Sequence, residues 1–314
     1  HPDPSVKRQS GLLKPVLNNS NVLGSSFAIP YYKVISNDSD LTLAPTLFDS
    51  DIKMVQNEYR KIGKNYELIA NFGHTREYDS TLLNKKKNIS YLFSKFTADL
   101  DLEDFNSSQI FFDVEKVNND TFLKVFNSNL LNDTTSLRPE NQDKLSNELK
   151  LTLEHSDFNL TTGIQSFEDL QLINNDRYEY ILPYYNFNKN LFTNFDSGSF
   201  YFQSNGSNKL NNTNQLKSQI INDLTYSSFS QVSSHGLRNN FNFKIKNLNS
   251  TGNNISEYKS SPQVELSSIL EFNSSIPLKK EGKDEVSFLT PKLSLRINPS
   301  DMKNYNTEER TINA

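Results

Sequence analysis

The chain has 314 residues, with 33 basic and 37 acidic side chains, a net charge of −4, four histidines and no cysteine. That balance supplies no basic stripe for nucleic acid, no thiolate or disulfide chemistry, and, with the histidines scattered, no metal centre. Mean hydropathy is polar at −0.65, yet 22 Phe and 14 Tyr are more aromatic side chains than a disordered chain carries.

In chain order, the first predicted elements are two strand-like runs in "SFAIPYYKVISNDSDLTLAPTLF", residues 26–48, separated by the polar turn 36–40. Phe27, Ile29 and Tyr31 oppose Ser26, Ala28 and Pro30, then Leu41, Leu43, Pro45 and Leu47 oppose Thr42, Ala44 and Thr46. Period-two alternation of this kind predicts half-buried strands. Each run holds a proline, although proline has no N–H to give a ladder. Ile110, Phe112 and Val114 follow at the same spacing. The stretch 141–149 can be read as helix, but it runs into Leu149, Leu151 and Leu153, which alternate with Lys150, Thr152 and Glu154. Further alternating runs carry Tyr178, Tyr180, Leu182 and Tyr184, then Phe241, Phe243 and Ile245, then Leu293, Leu295 and Ile297. Clusters rich in Asn, Asp, Ser and Gly separate them and read as turns. The expectation is an all-β chain of about 12–15 strands at barrel-strand length.

No stretch approaches the roughly 18 apolar residues of a membrane helix. The chain opens on His1 and reads as an excerpt of a longer protein. A membrane barrel turns apolar side chains to lipid and polar ones to its lumen, whereas a sandwich or solenoid turns the apolar side in. Alternation alone leaves these open. Charges on the polar face (Lys150, Glu154, Lys244, Lys246, Arg296) and aromatic residues near strand ends favour the barrel, whose interfaces carry aromatic girdles.

Several ordered motifs in the first sixty residues resemble the lipopolysaccharide-assembly outer-membrane protein LptD, also called organic solvent tolerance protein. These are Ser10-Gly11-Leu12, Pro30-Tyr31-Tyr32, Ile35 to Asp40, Thr42 to Pro45 and Glu58-Tyr59-Arg60. More loosely, "YEYILPYYNF", Tyr178 to Phe187, matches the family's mid-barrel Y-x-x-L-P segment, and "TPKLSLRINPSDMKNYNTEERTINA", Thr290 to Ala314, its P-x-x-S-L-R-x-x-P region. The resemblance implies a large antiparallel transmembrane β-barrel. Residues 1–20 would be the end of a periplasmic β-jellyroll and the junction, and 21–314 the first half of the barrel. It implies transport of lipopolysaccharide into the outer leaflet of the Gram-negative outer membrane, through a lateral gate and without covalent chemistry. The implied partners are lipopolysaccharide, outer-membrane lipids, the plug lipoprotein LptE and the periplasmic bridge protein LptA, with no cofactor. The family's inter-domain disulfides have no cysteine here to form them.

By the same resemblance, Pro30 and Pro45 are gate prolines in the first two barrel strands. A proline elsewhere in a β protein simply marks a strand end or bulge. Asp40 closes the hairpin and reads either as a contact for a sugar or cation or as an Asx-type turn, the turn being the simpler reading. Tyr31 and Tyr32, being adjacent, face lipid and lumen respectively. Glu58 and Arg60 share one face and are expected to form a lumen ion pair. Lys85-Lys86-Lys87 reads as a solvated loop. Triplets such as Asn88-Ile89-Ser90 arise by chance in a chain this rich in Asn and Ser. With no catalytic motif among its carboxylates, the chain does not read as an enzyme. A porin-like or uptake barrel and a secreted β-rich adhesin are the competing functions. A porin needs a sealed seam, and a solenoid adhesin needs a fixed repeat, which is not found.

Overall fold

A computed structural model describes residues 8–78, 88–130, 137–172, 174–194, 198–212, 214–282 and 285–299. Lys85-Lys86-Lys87 lies outside the described residues. The architecture is an antiparallel meander in one 18-stranded sheet, with a separate two-stranded hairpin, Leu278–Glu281 with Val286–Leu289. Among the described residues, twelve strands have ten residues or more, from Ser39–Phe48 to Gln263–Ser275. That is the length a tilted membrane strand needs. The stretch that allowed a helical reading is the strand Lys144–Glu154. No described helix is long and apolar enough to cross a membrane.

Pairing is continuous over long ladders, as from Gly198↔Ser228 to Asn211↔Gln215. Pro183 sits where the register shifts between Ile181 and Tyr184, one of the few places a sheet interior tolerates proline. One outer strand is Lys292–Ile297, on Gln263–Ser275. The other is formed by Gly11–Leu12 and Val16–Ser20, which pair with Tyr31–Val34 and Gly24–Ala28. Among the described residues the ladders pair each of these edges on one side only, so the sheet is open, as expected of part of a β-barrel.

The two faces differ in an order opposite to that of a soluble sheet. The five-residue helix Phe122–Phe126 covers one face near one end of the strands. Across that face runs the register row Thr42, Glu58, Asn71, Phe93, Glu115, every member buried. Glu58 is 1% exposed and Ala44 0%. The bare face carries Leu43, Leu47, Val55, Phe72 and Leu92, all exposed, Leu47 by 59%. Its register row Phe112, Leu149, Ile164 is exposed by 42%, 38% and 42%. Towards one end of the bare face, Phe192, Phe200 and Tyr226 follow one another in register, with centroids 5.4 and 4.8 Å apart. Away from the helix, polar groups are covered and apolar ones left bare, the pattern a lipid-facing wall requires.

The main core lies under the helix rather than between layers. Phe122 and Phe126 are fully buried and their rings lie 5.1 Å apart. Phe122 stacks on Tyr91 at 5.0 Å, and Phe126 meets Tyr78 at 5.2 Å and Phe48 at 6.3 Å. A helix this short is not stable by propensity. Packing of its three apolar side chains, Phe122, Leu123 and Phe126, holds it. A smaller cluster, Ile221, Leu248 and Tyr258 with Ile255, repeats the arrangement farther along.

Candidate functional site

The proline strands form one edge region. Pro30 falls between Gly24–Ala28 and Tyr31–Val34, and both halves keep the same register on Ser39–Phe48. The chain therefore continues straight through the proline and loses hydrogen bonds rather than alignment. In an antiparallel pair a hydrogen-bonded couple exchanges two N–H···O bonds. Leu13 and Pro30 make only one, Leu13 N donating to Pro30 O at 2.8 Å. Ile29 and Pro45 likewise make one, Ile29 N donating to Pro45 O at 3.4 Å. Since N–H and C=O of one residue point the same way, the missing Pro30 donor faces the outer strand and the missing Pro45 donor faces 24–34. The 24–34 strand thus loses a bond on each of its two edges at neighbouring residues.

The sequence reading assigned residues 1–20 to the end of a jellyroll and its junction and did not single out a third proline. Pro15 lies between Gly11–Leu12 and Val16–Ser20. The register on 24–34 moves by one residue there, from Leu12↔Tyr31 to Val16↔Ala28. Three consecutive strands therefore each carry a proline. The signal was present in "LLKPVLNN", where Leu12-Leu13 and Val16-Leu17 bracket Lys14-Pro15.

At the hairpin end, a polar cluster closes over Asp40. Its carboxylate accepts from Arg60 Nε at 2.8 Å and from Tyr32 Oη at 3.1 Å, and it pairs with Arg8. Arg8 also donates to Tyr32 Oη at 2.7 Å. The simpler reading of Asp40 as an Asx turn is corrected. Ser36, Asp38 and Ser39 make the turn contacts, and Asp40 faces the covered side because the pleat puts it with Thr42 and Ala44, where it meets Arg60 directly opposite in register. Asp38, in the turn, is held below the usual carboxylate range by the Ser36 hydroxyl. Arg60 Nε is 3.7 Å from Glu58 Oε1, farther than from Asp40. Tyr32 lies on the covered face opposite Thr42, and Tyr31 on the bare face opposite Leu43. A cleft of about 510 Å³ opens beside the cluster, lined by Arg8, Asn37, Asp38, Arg60 and Glu67 among others. Replacing Asp40 with alanine removes the shared partner of two half-exposed arginines. Discounted for solvent screening, the expected loss is about 1–2 kcal/mol, measurable by urea titration of the folded protein.

Polar contacts continue along the covered face, and the sequence reading had singled out few of them. Glu148 accepts from Tyr184 Oη and Gln165 Nε2, both at 2.7 Å, and lies 3.6 Å from Lys150. Lys95 and Asp113 are 3.5 Å apart, Lys246 and Asp223 3.5 Å, Arg296 and Glu271 2.7 Å. The last three pairs cross between neighbouring strands and set alternating charges along the covered face. Among the described residues no group of three or more His, Asp or Glu side chains is arranged to hold a metal.

No protein-family model matches the chain. Three curated relatives do, and all carry the description "LPS-assembly protein LptD". The protein of Idiomarina loihiensis is 26% identical over 124 residues, 40% of this chain and 16% of the relative. That of Nitrosospira multiformis is 28% identical over 172 residues, 53% of this chain and 17% of the relative. That of Albidiferax ferrireducens is 37% identical over 62 residues, 20% of this chain and 8% of the relative. The matched stretches thus span less than a fifth of each relative's length, and at that extent the chain resembles LptD.

Proposed function

We propose that this chain is part of an outer-membrane barrel that carries lipopolysaccharide to the outer leaflet through a lateral opening beside the 24–34 strand. The resemblance to proteins described as LPS-assembly protein LptD supplies the substrate class. The apolar bare face of the sheet supports a membrane setting. The observation that carries the lateral opening is the pairing of the proline strand: single bonds where two are normal, at Leu13/Pro30 and Ile29/Pro45. In lipid an unmade backbone bond costs several kcal/mol because no water replaces it. A strand deprived on both edges is where such a wall parts first. Acyl chains stay in the bilayer while the sugar crosses from the polar, covered face. The transfer makes and breaks no covalent bond.

In this reading Pro30 and Pro45 form the gate, Tyr31 faces lipid, and Tyr32, Asp40, Glu58 and Arg60 face the lumen. Residues 1–20, whose strands pair onto 24–34, form the junction with a periplasmic β-jellyroll. The plug lipoprotein LptE and the bridge protein LptA are the partners the reading carries with it.

The test is Pro30→Ala with Pro45→Ala in the full-length protein, which restores one donor on each edge of 24–34. Lipopolysaccharide delivery into the outer leaflet of proteoliposomes is expected to fall at least about tenfold, since one regained ladder bond is worth about 1 kcal/mol even in water and two act together. Delivery at the unsubstituted rate, with the variant folded, rejects the lateral opening.

A further inference from the structure

One short segment grips the proline strands from the covered face. It lies in the connection between Ser107–Val117 and Lys144–Glu154, far from those strands in sequence. After Phe126 the chain turns through Asn127–Asn129 and reaches three strands with two residues. Asn129 Nδ2 donates to Ser26 Oγ at 2.8 Å. Gln56 Nε2 donates to Asn129 O at 2.7 Å. Asn18 Nδ2 donates to Ser128 O at 2.9 Å. Phe126 anchors the turn against Phe48. Ser26 belongs to the strand carrying Pro30, Asn18 to the strand carrying Pro15, and Phe48 to the strand carrying Pro45.

The position of these contacts along the strands matters. Asn18, Ser26 and Phe48 lie on the helix side of the three prolines. The opposite halves are held at the hairpin end, where Arg8 and Asp40 take up Tyr32 and Val34 N donates to Ser10 Oγ at 2.9 Å. The 24–34 strand is therefore fastened at both ends and deprived of ladder bonds in the middle, at Ile29 and Pro30. A strand held in that way does not separate from its neighbours until one of the fastenings releases. The hairpin fastening joins residues 8 to 24 apart in sequence. The helix-side one depends on a segment about a hundred residues away, standing on the face the sugar crosses.

We propose that residues 122–129 are an internal brace, with Asn129 as the positioning residue of the proline strands, and that the wall opens only when Ser128 and Asn129 let go of Asn18 and Ser26. The proposal rests on the lateral-opening reading for its role, though not for its contacts.

Two measurements on the full-length protein test it. Amide hydrogen exchange needs no transport: Asn129→Ala is expected to speed exchange at least tenfold across 16–20 and 24–28 and to leave 198–211 unchanged. Asn18→Ala, which removes the Ser128 contact, should act in the same direction. For function, Ser26→Cys with Asn129→Cys, joined by a short cleavable thiol cross-linker, should reduce lipopolysaccharide delivery at least tenfold and recover it on cleavage. These 314 residues hold no cysteine, and any cysteine elsewhere in the full-length protein is first replaced by serine. Unchanged exchange in Asn129→Ala overturns the brace outright. Altered exchange with full delivery by the cross-linked protein, while the proline replacements still block delivery, overturns the release step. If neither the cross-link nor the proline replacements affect delivery, the lateral opening itself fails and the contacts alone remain.

Discussion

Replacing Leu149 with arginine is expected to destabilise the protein in a lipid bilayer by about 2–4 kcal/mol, the cost of a cation at the midplane of a membrane barrel. Leu149 is the central residue of Lys144–Glu154. It stands in register between Phe112 and Ile164 on the bare face, and all three are exposed. The same substitution has little effect in a soluble sheet, where an exposed leucine changed to arginine usually stays within about 0.5 kcal/mol. The sign and size of this single change therefore separate a membrane wall from a secreted sandwich. Phe112→Arg should repeat the result. Leu151→Arg, on the same face and closer to the strand end, should cost less, because the penalty falls towards the interface. Urea titration of the full-length protein in vesicles, followed by heat-modifiable migration on a gel, measures each. A Leu149→Arg protein as stable as the parent in vesicles would remove the membrane reading of this face.

The second large effect is expected at Phe126. Its ring is fully buried and touches Phe48, Tyr78 and Phe122, so Phe126→Ala leaves a cavity under a helix held by only three buried apolar side chains. Burial loss and cavity together place the cost at about 3–5 kcal/mol. Phe122→Ala should cost a similar amount. The double variant should cost less than the sum, since the two rings pack on each other and either loss already loosens the other. Leu12→Ala, at an exposed position of the outer strand, is the comparison and should change stability by no more than about 0.5 kcal/mol. If Phe126→Ala unfolds at the parent's urea midpoint, the helix is not packed as described. Its failure would also release Asn129, so the proline strands should exchange amide protons faster in this variant.

Much of the architecture was open to reading residue by residue. The alternation at Leu41, Leu43, Pro45 and Leu47 and again at Leu149, Leu151 and Leu153 depends only on the pleat of one strand, and each run became a strand. The stretch 141–149 was ambiguous because a few apolar residues fit both periods, and the ladders to its two neighbours settled it as strand. Pro30, Pro45, Tyr31, Tyr32, Asp40, Glu58 and Arg60 were all singled out from motif positions. Pro15 was not, because its strand was assigned to the junction.

What the amino-acid sequence determined by itself is local: where strands run, which side chains share a face, and which residues cannot give an N–H. Which face is covered came from the tertiary structure, because alternation is symmetric and looks the same with either side in. Register decided the rest. It set Asp40 against Arg60, aimed the missing donors of Pro30 and Pro45 at the two edges of one strand, and brought Asn129 to Ser26. Contacts between residues tens to a hundred positions apart depend on how every intervening strand pairs, and no short window of sequence carries that sum.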